Sequence, residues 1–373
     1  MTSTTLNPPG QIAAHKLDIK VNRIPRTRVM PKAAELGFGR IFTDHMFAME
    51  YEEGRGWFGA RIVPYGPIAL DPAASALQYG QAMFDGCKAF RARDGRVLLF
   101  RGRRHAARLS DGAPRLGMVA PDREVVHEAM TALIHFERDW VPTEPGTSLY
   151  LRPTLIGSEG FLGVRGGRNF LFYIILSPVG AYYPDGMKPV RIWVEKDYIR
   201  AAQGGLGAVK AGANYAASLF AASAAQKRGY AQVLWLDALE HRYCEEVGVM
   251  NLFVQFKDEI VTAPLGGTIL AGVTRDCVIT LLREWGYPVN ERRYAFDEVV
   301  EAKRNGTLGE VFGTGTAAVI SPVGEFGHKD GVFSTSDGSI GPLAKRLHST
   351  LTSIQYGESK DPYGWTEEVT SVK

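Results

Sequence analysis

Cysteine is scarce in this chain: Cys87, Cys244 and Cys277 are the only three among 373 residues. An odd, scattered set without metal-ligand spacing argues against a disulfide framework or a cysteine-bound metal. It fits a reducing, cytoplasmic compartment in which each thiol is a small core residue. Excess charge is missing too. With 43 basic and 40 acidic side chains the net is +3, which gives no electrostatic case for a nucleic-acid or membrane partner. No apolar run reaches membrane-spanning length. Met1 to Ile12 has no apolar secretory core, and arginine is lacking until Arg23, so the segment makes a poor transit peptide and reads as a frayed tail. Internal repeats and low-complexity tracts are also absent. What remains is the 45% hydrophobic content of an ordinary globular enzyme, at a length that suits two domains.

The pattern along the chain is mixed α and β, an α+β arrangement with mostly antiparallel strands rather than a regular βαβ alternation. Short apolar runs at 66–70, 97–100, 148–151 and 169–176 read as strands, with helical patterns at 104–116 and 123–140 between them. Pro178, Gly180, Pro184 and Gly186 then break all periodicity. The expected division is a smaller domain at 1–179, an interdomain loop at 180–189 and a larger domain at 190–373. The second half reads as strand 190–194, helix 214–228, strand 231–236, strand 249–256, helix 273–286 and strand 310–312.

Lys210 is flanked by glycines, in Gly204-Gly205-Leu206-Gly207-Ala208-Val209-Lys210-Ala211-Gly212, just before a helical stretch. Glycines let a flat group approach the backbone. A desolvated lysine is a nucleophilic amine suited to a Schiff base with an aldehyde such as pyridoxal phosphate. A glycine-rich loop with a solvated lysine is the alternative. A P-loop is excluded, because Ala211 stands where that motif requires Ser or Thr. Glu246 enters an apolar strand, where a carboxylate needs a partner, and a protonated pyridine nitrogen is one. Gly272-Val273-Thr274-Arg275-Asp276 opens a helix and offers an anion site; a plain helix start is the competing reading. Gly313-Thr314-Gly315-Thr316-Ala317-Ala318 is a second candidate cradle, or a hydrophilic turn. Arg152, inside an apolar strand, points to an anionic partner. One arginine of the cluster 101–108 suits a phosphate.

These blocks, with Phe42-Thr43-Asp44-His45-Met46, Phe84-Asp85-Gly86-Cys87-Lys88-Ala89-Phe90 and Tyr150-Leu151-Arg152-Pro153, resemble the branched-chain amino-acid aminotransferases. That family belongs to the fold-type IV pyridoxal-phosphate enzymes. The resemblance implies a two-domain homodimer that transfers an amino group from leucine, isoleucine or valine to 2-oxoglutarate. It implies Lys210 as the Schiff-base lysine and proton carrier, Tyr215 on the ring hydroxyl and Glu246 on the ring nitrogen. Arg108, Val273, Thr274 and Thr316 would hold the phosphate of pyridoxal 5'-phosphate, and Thr316 and Ala317 would offer N–H groups to the substrate carboxylate. Phe38, Tyr79, Phe84, Tyr150, Val164 and Tyr182 match the side-chain pocket, with Arg152 for the second carboxylate of glutamate. Two positions depart from the family: Asp85 replaces a usual Glu, and Val249 a frequent Thr or Gly. Ala318 and Ser321 stand where some relatives carry a redox Cys-x-x-Cys. A cofactor-free Schiff-base aldolase would keep Lys210 without needing Glu246 or the cradles.

Overall fold

The computed structural model describes residues 17–26, 28–181, 186–329 and 331–370. The tail expected at 1–12 lies outside the described residues, as do Tyr182 and the next three residues of the loop expected at 180–189.

Among the described residues, two nine-stranded sheets organise the chain. The first runs in the order Lys20–Val21, Gly56–Pro64, His45–Glu52, Asn169–Val179, Ser148–Gly157, Cys87–Arg91, Val97–Phe100 and Thr366–Glu368, with Ala82–Phe84 also on Ser148–Gly157. All its pairings are antiparallel except the first. Its core side is covered by the helices Gly102–Gly112 and Arg123–Phe136. The second helix buries Val126, Met130, Leu133 and Ile134, a stripe with helical spacing. Asp122 caps it, accepting the Glu124 N–H at 2.9 Å.

The second sheet curls on itself. Cys244–Val247 pairs with both Gln232–Leu236 and Met250–Phe256, which closes a ring through Val190–Val194, Val319–His328 and Leu308–Gly315. Three of its pairings are parallel. Val273–Glu284 and Pro342–Gln355 pack on it over the stacked rings of Phe253 and Phe312, 5.4 Å apart.

Three local expectations need correction. Gly66–Leu70 forms no strand; Pro67 has no N–H to give a ladder. The helix expected at 104–116 is α-helical only to Gly112 and tightens to a 3-10 turn at Ala113–Leu116, which contains Pro114. The chain does not stay in its second half: Thr366–Glu368 returns to the first sheet beside Val97–Phe100.

Candidate active site

A cavity of about 220 Å³ lies where the two sheets meet, and side chains of both line it. Lys210 is delivered to it by a short, tightly held segment. Phe84 N donates to Lys210 O at 3.1 Å, which ties the segment to the strand Ala82–Phe84. Asn214 Nδ2 donates to Leu206 O and Val209 O at 2.8 and 2.9 Å. Gly207 crosses the backbone of Thr268 so closely that a Cβ would stand 2.3 Å from the Thr268 carbonyl oxygen. Only glycine fits that crossing.

Lys210 Nζ donates at 2.6 Å to Tyr215 Oη, in the first turn of the helix Gly212–Lys227. Burial brings the Lys210 amine down to about 7; Arg108 and Arg152 add to this, while Asp85 and Glu246 oppose it. Burial, assisted by Glu246, pushes Tyr215 up to about 12. Glu246 is 2% exposed and lines the cavity, whereas Glu245 does not and instead accepts from Thr268 Oγ1 at 2.6 Å. Burial raises Glu246 above the ordinary carboxylate value. Arg200 opposes that rise: its Nε lies 2.7 Å from Glu246 Oε2, while Oε1 accepts from Leu270 N at 2.9 Å and Asn251 Nδ2 at 3.2 Å. This donor set favours the anion. Arg200 was not singled out from the sequence, because nothing local marks it as the partner of Glu246.

Arg108 lines the same cavity, held from behind by Asp85. Its Nε and Nη2 donate to the two carboxylate oxygens, each at 2.8 Å, in a bidentate pair. His105 Nδ1 lies 2.8 Å from Asp85 Oδ1. Burial alone would push Asp85 up, but Arg108 and His105 outweigh it and hold the carboxyl far below the usual range. Asp85 is therefore the anchor of a cavity arginine.

Val273 and Thr274 begin the helix Val273–Glu284 on the cavity wall, where first-turn N–H groups have no intrahelical acceptor. Thr316, Ala317, Phe38, Phe84 and Tyr150 line the cavity as well. Arg152 does too, and among the described residues it has no carboxylate partner. Its Nη2 donates to Tyr150 Oη at 3.0 Å, and its guanidinium lies over the Phe84 ring at 4.5 Å. Two expected pocket residues are not brought together with the rest in this chain. Tyr79 is 49% exposed with its hydroxyl on Leu162 O, and Val164 is 88% exposed. Tyr182 lies outside the described residues. Val249, Met250, Asn251, Leu270 and Thr314 are also on the wall. Among the described residues, Thr314 Oγ1 and Arg152 Nε are buried polar atoms on this cavity with no hydrogen-bond partner. A cavity with an ion-paired carboxylate, a tyrosine, an arginine, a helix start and these unused polar atoms fits an anionic, aromatic cofactor.

Residues 83–326 match the family described as class IV amino-transferases. The chain is 53% identical over 340 residues, 91% of its own length and 96% of the relative's, to a Bacillus subtilis protein named branched-chain-amino-acid transaminase 1. It superposes on the branched-chain amino acid aminotransferase of Escherichia coli with a TM-score of 0.73 at 27% identity, covering 88% of this chain and 99% of that one. It superposes comparably on the branched-chain aminotransferase of the thermophilic archaeon Thermoproteus uzoniensis with norvaline, with a TM-score of 0.71 at 26% identity over 87% and 100% of the two chains. The chain belongs to the class IV amino-transferase family.

Proposed function

We propose that this protein moves the amino group of leucine, isoleucine or valine to 2-oxoglutarate, giving branched-chain 2-oxo acids and L-glutamate, with pyridoxal 5'-phosphate as cofactor. One observation carries the reading: a lysine desolvated to about 7 and a carboxylate paired with a buried arginine face one cavity with aromatic walls. Pyridoxal phosphate supplies an aldehyde for the amine and an electron sink for the carbon that loses its proton.

The chain's own residues do the rest. Lys210 Nζ is the base that takes a proton from the substrate carbon and returns it. Burial brings the free amine down toward neutrality, where it can act as a base. Tyr215 orients that amine through its hydroxyl. Glu246, held by Arg200, would meet the ring nitrogen and favour its protonated form. Arg108, anchored by Asp85, and the N–H groups of Val273 and Thr274 would hold the phosphate, with Thr316. The N–H groups of Thr316 and Ala317 take the substrate carboxylate. Phe38, Phe84 and Tyr150 form the apolar wall for a branched side chain, and Arg152 meets the second carboxylate of glutamate.

The protein works as a homodimer in this reading, and acts in the cytoplasm. Leu77, Tyr79, Phe161, Leu162 and Val164 are exposed apolar side chains on two segments joined by the Tyr79 hydroxyl on Leu162 O. The family resemblance puts Tyr79 and Val164 in the side-chain pocket, and a second copy covering these residues would bring them to a cavity of the dimer. The function is tested with an amino-donor panel and 2-oxoglutarate as acceptor. Leucine, isoleucine and valine are expected to yield glutamate well above aspartate, alanine or D-leucine. Equal turnover across the panel, or none, would overturn the reading.

A further inference from the structure

Lys88 is a buried cation that the proposed mechanism leaves without a task. It sits on the strand Cys87–Arg91, opposite Tyr150, and is 9% exposed. Its Nζ donates to Ala317 O at 2.8 Å, across 229 positions of sequence. Burial pushes the ammonium down to about 8. Lys88 does not itself line the cavity, but Thr316, Ala317 and Ala318 do.

The turn it grips is strained. Gly315 pairs with Val319 at the base of the hairpin, and Val319 has φ 61. A β-branched residue in the left-handed region is a genuine outlier. Such conformations persist only where the surroundings over-determine them. Among the described residues, no acceptor stands on the N–H groups of Thr316, Ala317 or Ala318. In a trans peptide the carbonyl and the next N–H point opposite ways. Holding Ala317 C=O from behind therefore turns the Ala318 N–H away from Lys88.

We propose that Lys88 is a positioning residue, which grips the Ala317 carbonyl from behind and holds the Gly315–Val319 turn so that its free N–H groups meet the substrate α-carboxylate. The inference rests on the proposed aminotransferase reading. It assigns Lys88 a role in carboxylate affinity without contact with the substrate.

The test compares two leucine fragments on the holoenzyme, followed through the cofactor's visible absorption. 4-Methylvalerate keeps the carboxylate and lacks the amine; 3-methylbutylamine keeps the amine and lacks the carboxylate. Lys88→Met is expected to weaken 4-methylvalerate by about tenfold or more, the scale of one charge-assisted hydrogen bond, and to leave 3-methylbutylamine unchanged. KM for leucine should rise more than kcat falls. Lys88→Arg should recover most of the loss. If Lys88→Met does not fold, Lys88→Gln, neutral and one bond shorter, is expected to show the same selective loss. Equal weakening of both fragments, or of neither, would overturn the proposal. Wild-type protein without branched-chain transamination would instead overturn the proposed function.

Discussion

Lys210 can act at neutral pH because its amine is desolvated and lies among arginines. The sign of the pH effect follows. The neutral amine is the nucleophile, and it predominates above pH 7. The rate at which apoprotein takes up pyridoxal phosphate should therefore plateau above about pH 7 and fall about tenfold per pH unit below it. Stopped-flow absorption reads this directly; a midpoint near 10, the value of an exposed lysine, would contradict it. Arg152 is the second residue with a measurable consequence. Its Nε is buried without a partner, and among the described residues its side chain bonds only Tyr150 Oη. Arg152→Met should weaken glutamate and 2-oxoglutarate by roughly ten- to a hundredfold and spare leucine in steady-state kinetics; equal losses would make Arg152 structural. The glycine frame of Lys210 and the apolar run after Glu246 were legible because they are local patterns. Arg200, the role of Asp85 and Lys88 were not, because their partners come together only in the fold. Within the protein Arg152 rests on the Phe84 and Tyr150 rings and the Tyr150 hydroxyl, which stabilise a cation without a carboxylate and leave its anion to come with the substrate.

At the scale of elements, alternation in a strand decides between neighbouring carboxylates. Glu245 and Glu246 are adjacent on Cys244–Val247, so their side chains leave opposite faces, and only Glu246 reaches the cavity. Glu246→Gln should lower kcat by roughly ten- to a hundredfold, the cost of one charge-assisted contact, while Glu245→Gln should change it little. Paired kinetics showing the reverse ranking would refute the assignment. The strands and helices that position the site were largely visible as periodic runs: Val190–Val194 stands where its apolar pattern put it, and Val273–Glu284 begins at the expected residue. The long hairpin His45–Glu52 and Gly56–Pro64 was not read from the sequence. Its inner strand is apolar at consecutive positions rather than alternating, so it carries no clear period.

For the whole molecule, two sheets must be held against each other before the cavity exists. The chain secures this by returning Thr366–Glu368 to the first sheet and by bonds such as Lys88 to Ala317 and Arg108 to Ala271 O at 3.1 Å. Such closure is invisible to a reading that divides the chain at one linker. The exposed apolar side chains Tyr79 and Val164 belong to the same scale. Light scattering should give twice 40.9 kDa, and Val164→Asp should lower kcat/KM for leucine; a fully active monomer would contradict the shared pocket. The central claim, that Lys210 carries the cofactor, has a sharper test. Among the described residues two buried lysines have depressed values, Lys210 at about 7 and Lys88 at about 8, and only Lys210 faces the cavity. Borohydride reduction of the purified holoenzyme, followed by peptide mass mapping, should place the phosphopyridoxyl adduct on Lys210 alone. An adduct on Lys88 or elsewhere, or none, would contradict the account.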